Sequence, residues 1–203
     1  MKKFLVCIVM VGASFAVTAQ DSKWRFLAGL GSAGGGEKIT SGTLTTIGTN
    51  KVLPFDIQAG VGIQKRIGLD YRLADRFTLQ GSIGHSVSEA MGIDGSMSFT
   101  TVPVELMGFV DVAAGLRIGA GVRQSSADLQ GTGLAANASV NGTFVASTGA
   151  VLELQYLFAN AEPRNGKSVP QFGISVRSVS ESFNHALGTL NGDHYEIGLV
   201  IYY

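Results

Sequence analysis

The chain has 203 residues, with 15 Lys+Arg against 15 Asp+Glu, 28 Gly, four Pro and one Cys. At 15% charged residues and a mean hydropathy of +0.27 it is too apolar for a disordered or nucleic-acid-coating chain, and zero formal charge gives no footprint for phosphate backbones. Beyond the N-terminus no 18 consecutive residues are apolar, which excludes helical membrane spans there, and the length fits one domain.

Met1 to Ala19 begins with Lys2 and Lys3, continues as an apolar run from Phe4 to Val11, and ends on the small residues of Val17-Thr18-Ala19. These are the three parts of a secretory signal peptide, so residues 1–19 are expected to be cleaved near Gln20, leaving residues 20–203 as the mature domain. Cleavage leaves 13 basic against 15 acidic residues and removes Cys7. An exported chain without cysteine has neither a disulfide framework nor a thiolate metal site.

From there the hydrophobic period is 2 almost everywhere. Trp24, Phe26, Ala28 and Leu30 mark the apolar face of a first strand. The clearest alternation runs from Phe55 to Leu73, where odd positions are apolar apart from Lys65 and even positions are polar or Gly; it predicts one long two-faced strand. Phe77, Leu79, Ile83 and Val87 mark a third strand, Val102, Val104, Leu106 and Val110 a fourth, and Leu116, Ile118, Ala120 and Val122 a fifth. Phe144 to Phe158 gives a sixth, Phe172, Ile174 and Val176 a seventh, and Tyr195 to Tyr203 the eighth.

Connections after the odd strands are long, at Ser32 to Pro54, Ser88 to Met97, Ser126 to Gly142 and Glu181 to Gly192, whereas Ala74-Asp75-Arg76 and Asp111 to Gly115 are tight. Eight antiparallel strands with this alternation match an all-β, up-and-down transmembrane β-barrel with short periplasmic turns and long extracellular loops. A soluble lipocalin-like barrel has the same alternation with its faces exchanged, so the polar face has to decide.

That face carries Arg25, Arg66, Arg72, Arg117, Arg123 and Arg177 with Asp56, Asp70, Glu105, Glu153 and Glu196, separated by glycines. Near-balanced charge, Arg in place of Lys, and many glycines suit a crowded interior in which guanidinium forks meet carboxylates, so these eleven residues are assigned to the lumen. Trp24, Tyr71, Phe77, Tyr156, Phe158, Phe172 and Tyr203 gather near the termini and short turns, as an interfacial aromatic girdle would. Lys65 lies in the lipid-facing frame and is expected at the far edge of the apolar band, where it can snorkel.

The ending Tyr195-Glu-Ile-Gly-Leu-Val-Ile-Tyr-Tyr203 resembles the C-terminal signature of bacterial outer-membrane barrels, with Tyr203 in place of the commoner Phe. Gly68 to Gln80 is similar to the strand-turn-strand unit of small barrels of the opacity, OmpX and PorT-like kind, and Phe183 to Leu190 to a loop of PorT-like proteins. The resemblance covers about residues 24 to 203. It implies residence in a Gram-negative outer membrane among phospholipid and lipopolysaccharide, and an assembly signal at Tyr195, Ile197, Leu199, Ile201 and Tyr203 read by the barrel-assembly machinery. Residues and resemblance together lead us to expect a monomer without cofactor or nucleic-acid partner, with function residing in surface loops that are open to an extracellular ligand.

Other chemistry is weaker. Ala161 to Ser168 fits a relaxed P-loop, but Val169-Pro170 opens a strand and no helix follows; Gly29-Leu-Gly31-Ser-Ala-Gly34 satisfies GxGxxG without a helix and reads as the start of a flexible loop. His85, His185 and His194 lack metal-ligand spacing and read as solvated. Some eight-stranded barrels modify lipid A with His and Ser, which nominates His185, Ser182 and Ser180, although the deacylase pattern His-x-Ser-Asn is absent. Asn137-Ala-Ser139 and Asn141-Gly-Thr143 match glycosylation acceptors. The leading expectation is a non-enzymatic barrel serving adhesion, surface protection or envelope structure. A lipid A enzyme, a soluble lipid-binding barrel and a narrow-pore porin are the alternatives.

Overall fold

The computed structural model describes residues 23–203 apart from 50, 137, 160–168 and 187. The predicted signal peptide and the P-loop-like segment therefore lie outside the described residues.

Among the described residues all regular structure is β. The strands are β1 (Trp24–Gly35), β2 (Lys38–Thr45), β3 (Val52–Gln58), β4 (Gly62–Ala74), β5 (Phe77–Gly92), β6 (Gly95–Ala113) and β7 (Leu116–Gly133), then β8 (Gly142–Ala146), β9 (Gly149–Leu157), β10 (Gln171–Ser180), β11 (Ser182–His185), β12 (Gly188–Asn191) and β13 (His194–Tyr202). Antiparallel pairing runs β1–β4–β5–β6–β7–β9–β10–β13 and returns to β1, closing an eight-stranded barrel. Closure leaves no sheet edge within the barrel, so every backbone polar group in its ladders has a partner without water.

The outside of this barrel is apolar. Leu30, Ile67, Leu69, Leu79, Ile83, Leu106, Ile118, Val122, Leu152, Ile174, Ile197 and Leu199 are all exposed. At the turn end the girdle residues Trp24, Phe77, Tyr156, Phe158, Phe172 and Tyr203 are exposed too, with Trp24 packed on Tyr71 at 4.5 Å and Tyr156 edge-on to Phe158 at 5.6 Å. A continuous aliphatic belt ending in aromatics is a surface for hydrocarbon and headgroups. The lipocalin-like alternative requires the opposite orientation and is overturned by this exposure.

Above the belt the two faces exchange roles. On β5, β6 and β7 the outward positions become Glu89, Ser98, Thr100, Gln124, Asp128 and Gln130, while Met97, Phe99, Ala127 and Leu129 point inward and are buried. There they join Ile57, Phe144 and Phe183 in an apolar core, with Phe99 edge-on to Phe144 at 5.5 Å and to Phe183 at 5.6 Å. The upper part is thus a cap with an ordinary water-soluble pattern, greasy within and polar without.

This inversion corrects the single strand expected from Phe55 to Leu73. The chain there divides into β3 and β4 across Ala59-Gly60-Val61, so that Ile57 and Ala59 are buried in the cap core while Ile63, Ile67 and Leu69, of the same parity, face lipid. β2 and β3 form a hairpin that folds over the mouth, entering through Gly36 at a φ of +76°, where a Cβ would lie 2.5 Å from the Gly60 nitrogen. A Cβ on Gly60 would in turn lie 2.5 Å from that of His194, so the fold-over needs bare backbone on both sides.

The expected long loops are accordingly mostly strand. β5 and β6 meet across Ile93-Asp94, and β11 with β12 forms a second hairpin. The GxGxxG stretch lies within β1, its backbone in the ladders with β4 and β13 rather than in a loop. The short turns fall where expected, at Asp75-Arg76 and Ala114-Gly115.

Truncating Ile57, buried at the centre of the cap core, is expected to destabilise the cap by about 2–5 kcal/mol. Limited proteolysis of folded Ile57→Ala should cut within the β2–β3 hairpin while the barrel remains resistant.

Candidate functional site: a paired charge network beneath a rigid cap

Every second residue of a barrel strand points inward, and here the inward positions deliver two connected layers of charge. In the lower layer the Asp70 carboxylate accepts from Arg25 Nη2 at 2.9 Å, Arg117 Nη1 at 3.0 Å and Gln80 Nε2 at 2.7 Å. The Arg117 guanidinium lies between the rings of Phe109 and Tyr202, 4.3 and 4.5 Å from their centroids, and donates to Tyr202 Oη and to Gln155 Oε1.

Gln155 links the layers by donating to Glu153 Oε1 at 2.5 Å. Above it, Arg66 grips both Glu153 oxygens, at 2.5 and 2.9 Å. Arg177 reaches Glu105 at 2.6 Å, Glu196 at 2.5 Å and Glu153 at 3.2 Å; Arg123 reaches Glu196 at 3.0 Å, Glu105 at 3.2 Å and Glu181 at 3.3 Å. His194 closes the upper edge, with Nε2 3.0 Å from Glu196 Oε1 and Nδ1 2.7 Å from the Gly192 carbonyl oxygen.

Among the described residues this joins five arginines, Arg25, Arg66, Arg117, Arg123 and Arg177, to five carboxylates, Asp70, Glu105, Glu153, Glu181 and Glu196. Each buried charge would cost several kcal/mol alone, and the pairing of these arginines with carboxylates, most of which meet more than one donor, offsets that cost. Met107, Phe109, Val151 and Val179 fill the space alongside. A cavity of about 20 Å³ bordered by Arg66, Glu105, Arg123, Arg177 and Glu196 remains, room for about one water.

Two residues assigned to the lumen lie elsewhere. Asp56 is on the cap hairpin and pairs with Lys38 at 2.9 Å in solvent, because the frame has reversed by that point. Arg72 is exposed at the end of β4, beside the bulge between Arg72 and Ala74 and below the lower layer. Conversely, Glu181, Gln80, Gln155, Tyr202 and His194 belong to the network and were not anticipated. Parity carried the signal: Glu181 continues the inward series of Ser175, Arg177 and Val179, and His194 and Tyr202 that of Glu196 and Val200.

The remaining nominees are dispersed. Tyr195, Ile197, Leu199 and Ile201 form the outward face of β13, and Tyr203, just past its end, is exposed too. His85 is exposed on the outer wall, beside Lys65 in the ladder, and Lys65 is likewise exposed. His185 stacks on Phe144 at 4.4 Å, Ser182 Oγ bonds Ser147 Oγ at 3.0 Å, and Ser180 points outward. Asn141 bonds the Ala135 and Ala136 carbonyls, and Asn137 lies outside the described residues. Beside these strands a notch of about 440 Å³ is bordered by Glu37, Ser147, Thr148, Glu181, Asn191 and Asp193.

At the tip of the cap the Asp94 carboxylate accepts from the Thr45 amide at 3.0 and 3.2 Å and from Thr45 Oγ1 at 3.0 Å. These bonds, the backbone amide first, hold its carboxyl below the usual aspartate range.

The fold and its oppositely lined faces define an eight-stranded transmembrane β-barrel whose lumen is filled by side chains. The solved structures it resembles are of that kind. Neisserial surface protein A superposes with a TM-score of 0.53 at 11% identity over 89% of this chain and 96% of that one. The attachment invasion locus protein Ail of Yersinia pestis, in complex with the heparin analogue sucrose octasulfate, superposes with a TM-score of 0.50 at 9% identity over 89% and 99%. No protein-family model matches the chain, and no curated protein matches it.

Removing Arg177, which touches three carboxylates, should cost about 3–5 kcal/mol, whereas Arg72→Leu at the rim should change stability by less than about 1 kcal/mol. The temperature at which the detergent-folded barrel loses its compact electrophoretic mobility compares the two. For Asp94 the folded pKa is depressed, so its contribution to the tip is complete above the unfolded pKa of about 3.9 and lost as pH falls through the lower folded value. Hydrogen exchange at the Thr45 amide should stay slow through the ordinary aspartate range and accelerate only in stronger acid.

Proposed function

We propose that the protein is a non-enzymatic barrel of a Gram-negative outer membrane that displays a rigid extracellular cap for attachment to an external surface. The observation that carries this reading is the combination of a lumen crossed by paired charges with a cap that has its own apolar core. A cylinder crossed by two layers of paired arginines and carboxylates is poorly suited to solute passage, which argues against the porin alternative. A cap stiffened by Phe99, Phe144 and Phe183 instead presents fixed contact residues at low ordering cost.

The charge of the cap bears on the ligand. Its lysines among the described residues are Lys38, paired with Asp56, and Lys51, so it offers no basic cluster for a polysulfated ligand such as the sucrose octasulfate that Ail holds. The lipid A enzyme reading is not favoured, since the described contacts place His185 against Phe144 and Ser182 against Ser147. The outward face of β13 from Tyr195 to Ile201, with Tyr203 just past its end, is proposed as the assembly signal.

Two measurements test this reading. Planar bilayers containing the folded barrel should show no stepwise conductance. Cells producing it should adhere to cultured cells more than cells producing a barrel with residues 38–58 replaced by a short Gly-Ser turn. Equal adherence by cells with equal amounts of both barrels in the outer membrane would overturn the proposal, as would an acyl-chain change in lipid A that depends on His185.

A further inference from the structure

The outer wall of the cap is polar, yet its summit is not. Ile47, Val52, Leu53, Met91, Ile93 and Leu134 are between 51% and 82% exposed, on the β2–β3 turn and the start of β3, the end of β5 and the β5–β6 turn, and the segment after β7. Below them the outward residues are Ser98, Thr100, Asp128 and Gln130. Apart from Val145 on the wall strand β8, 64% exposed, the cap's exposed large aliphatic side chains gather at these three tips, which is not the scatter of single exposed apolar residues usual on proteins.

The tips are fixed to one another. Beside the bonds from Thr45 to the Asp94 carboxylate, the Ile93 amide donates to the Thr45 carbonyl at 2.9 Å and the Leu134 amide to the Asp94 carbonyl at 3.0 Å. One turn therefore holds the other two, and the apolar side chains arrive as a preorganised group.

We infer that this crown inserts into the surface of an opposing lipid bilayer. The inference rests on the attachment reading above and names what the cap attaches to. Three lines support lipid over protein. The crown is aliphatic, lacking the Trp, Tyr and Arg on which protein hot spots depend. It is assembled from strand ends and turns of three separate chain segments rather than from the face of one strand or helix. Lys51, exposed next to Val52 and Leu53, is placed to keep its ammonium among headgroups while its neighbours enter the acyl region. A second copy in the same membrane points its summit the same way and cannot cover this one.

The barrel in nanodiscs is mixed with sedimentable vesicles of phosphatidylcholine, with and without phosphatidylserine. Nanodiscs carrying the wild-type protein should cosediment, more strongly with phosphatidylserine. Leu53→Ser combined with Ile93→Ser should weaken binding about a hundredfold, about tenfold for each aliphatic side chain withheld from the bilayer. Asp94→Ala, which removes the Thr45 bonds to the carboxylate and loosens the tips while their backbone bonds remain, should weaken it with every apolar residue retained, and Thr100→Ala on the wall should leave it unchanged. Heat-dependent mobility verifies that each variant is folded. Failure of the wild type to cosediment with either vesicle, or equal binding by the double variant, overturns the inference. If cells still adhere through the cap while vesicles are ignored, the occupant is a protein and the attachment reading stands without the lipid.

Discussion

The guanidinium groups of Arg66, Arg117, Arg123 and Arg177, enclosed in a cylinder whose outside faces hydrocarbon, have little access to water, and the rest of the barrel is arranged around that fact. Each must meet a carboxylate within the lumen, and the eight strands hold the register that brings them together. Glu153 from β9 meets Arg66 from β4 across the barrel, and Glu196 from β13 meets both Arg123 from β7 and Arg177 from β10. A slip of one residue in any of these strands would turn its charges into lipid, so pairing and register specify one another. The glycines among the inward positions leave the forks their space: a Cβ on Gly29 would lie 2.8 Å from the Arg66 side chain.

The same strands satisfy a second and opposite solvent. Where β5, β6 and β7 rise above the lipid belt, Phe99 continues the inward series of Glu105 and Thr101, and Thr100 the outward series of Val104 and Leu106. Backbone parity is unchanged and the chemistry is exchanged. The β2–β3 hairpin supplies the missing wall, and its Ile57 meets Phe99, Phe144 and Phe183 to form a core that needs no lipid.

Much of the barrel was legible because period-2 alternation survives in every spanning strand. The choice of face was legible too, since Arg rather than Lys accompanies glycine on one side. What parity could not give was the place where its meaning changes. From Phe55 to Leu73 the pattern runs unbroken through Gly60, so Asp56 read as luminal although it stands on the cap beside Lys38. Arg72 failed for a different reason: the right face continues past the end of the membrane-embedded part, where water already solvates the charge. Glu181 and His194 were missed by placing them in a loop, although both keep the inward parity of their strands. The cap itself was hidden because Ser, Thr and Gly between strands resemble loop composition, and only long-range packing of Met97, Phe99 and Leu129 makes them sheet.

The ladder of β6 with β7 runs from Gly95–Gly133 down to Ala113–Leu116, broken only by a bulge near Asp111. It therefore passes from cap to barrel as one tape. Mechanical load applied at the summit is conveyed along the strand axes rather than prising one strand from the next, so the hydrogen bonds of the tape bear tension in shear, together rather than in sequence. A barrel built this way meets a pull on its cap with many rungs of the ladder at once rather than with one at a time.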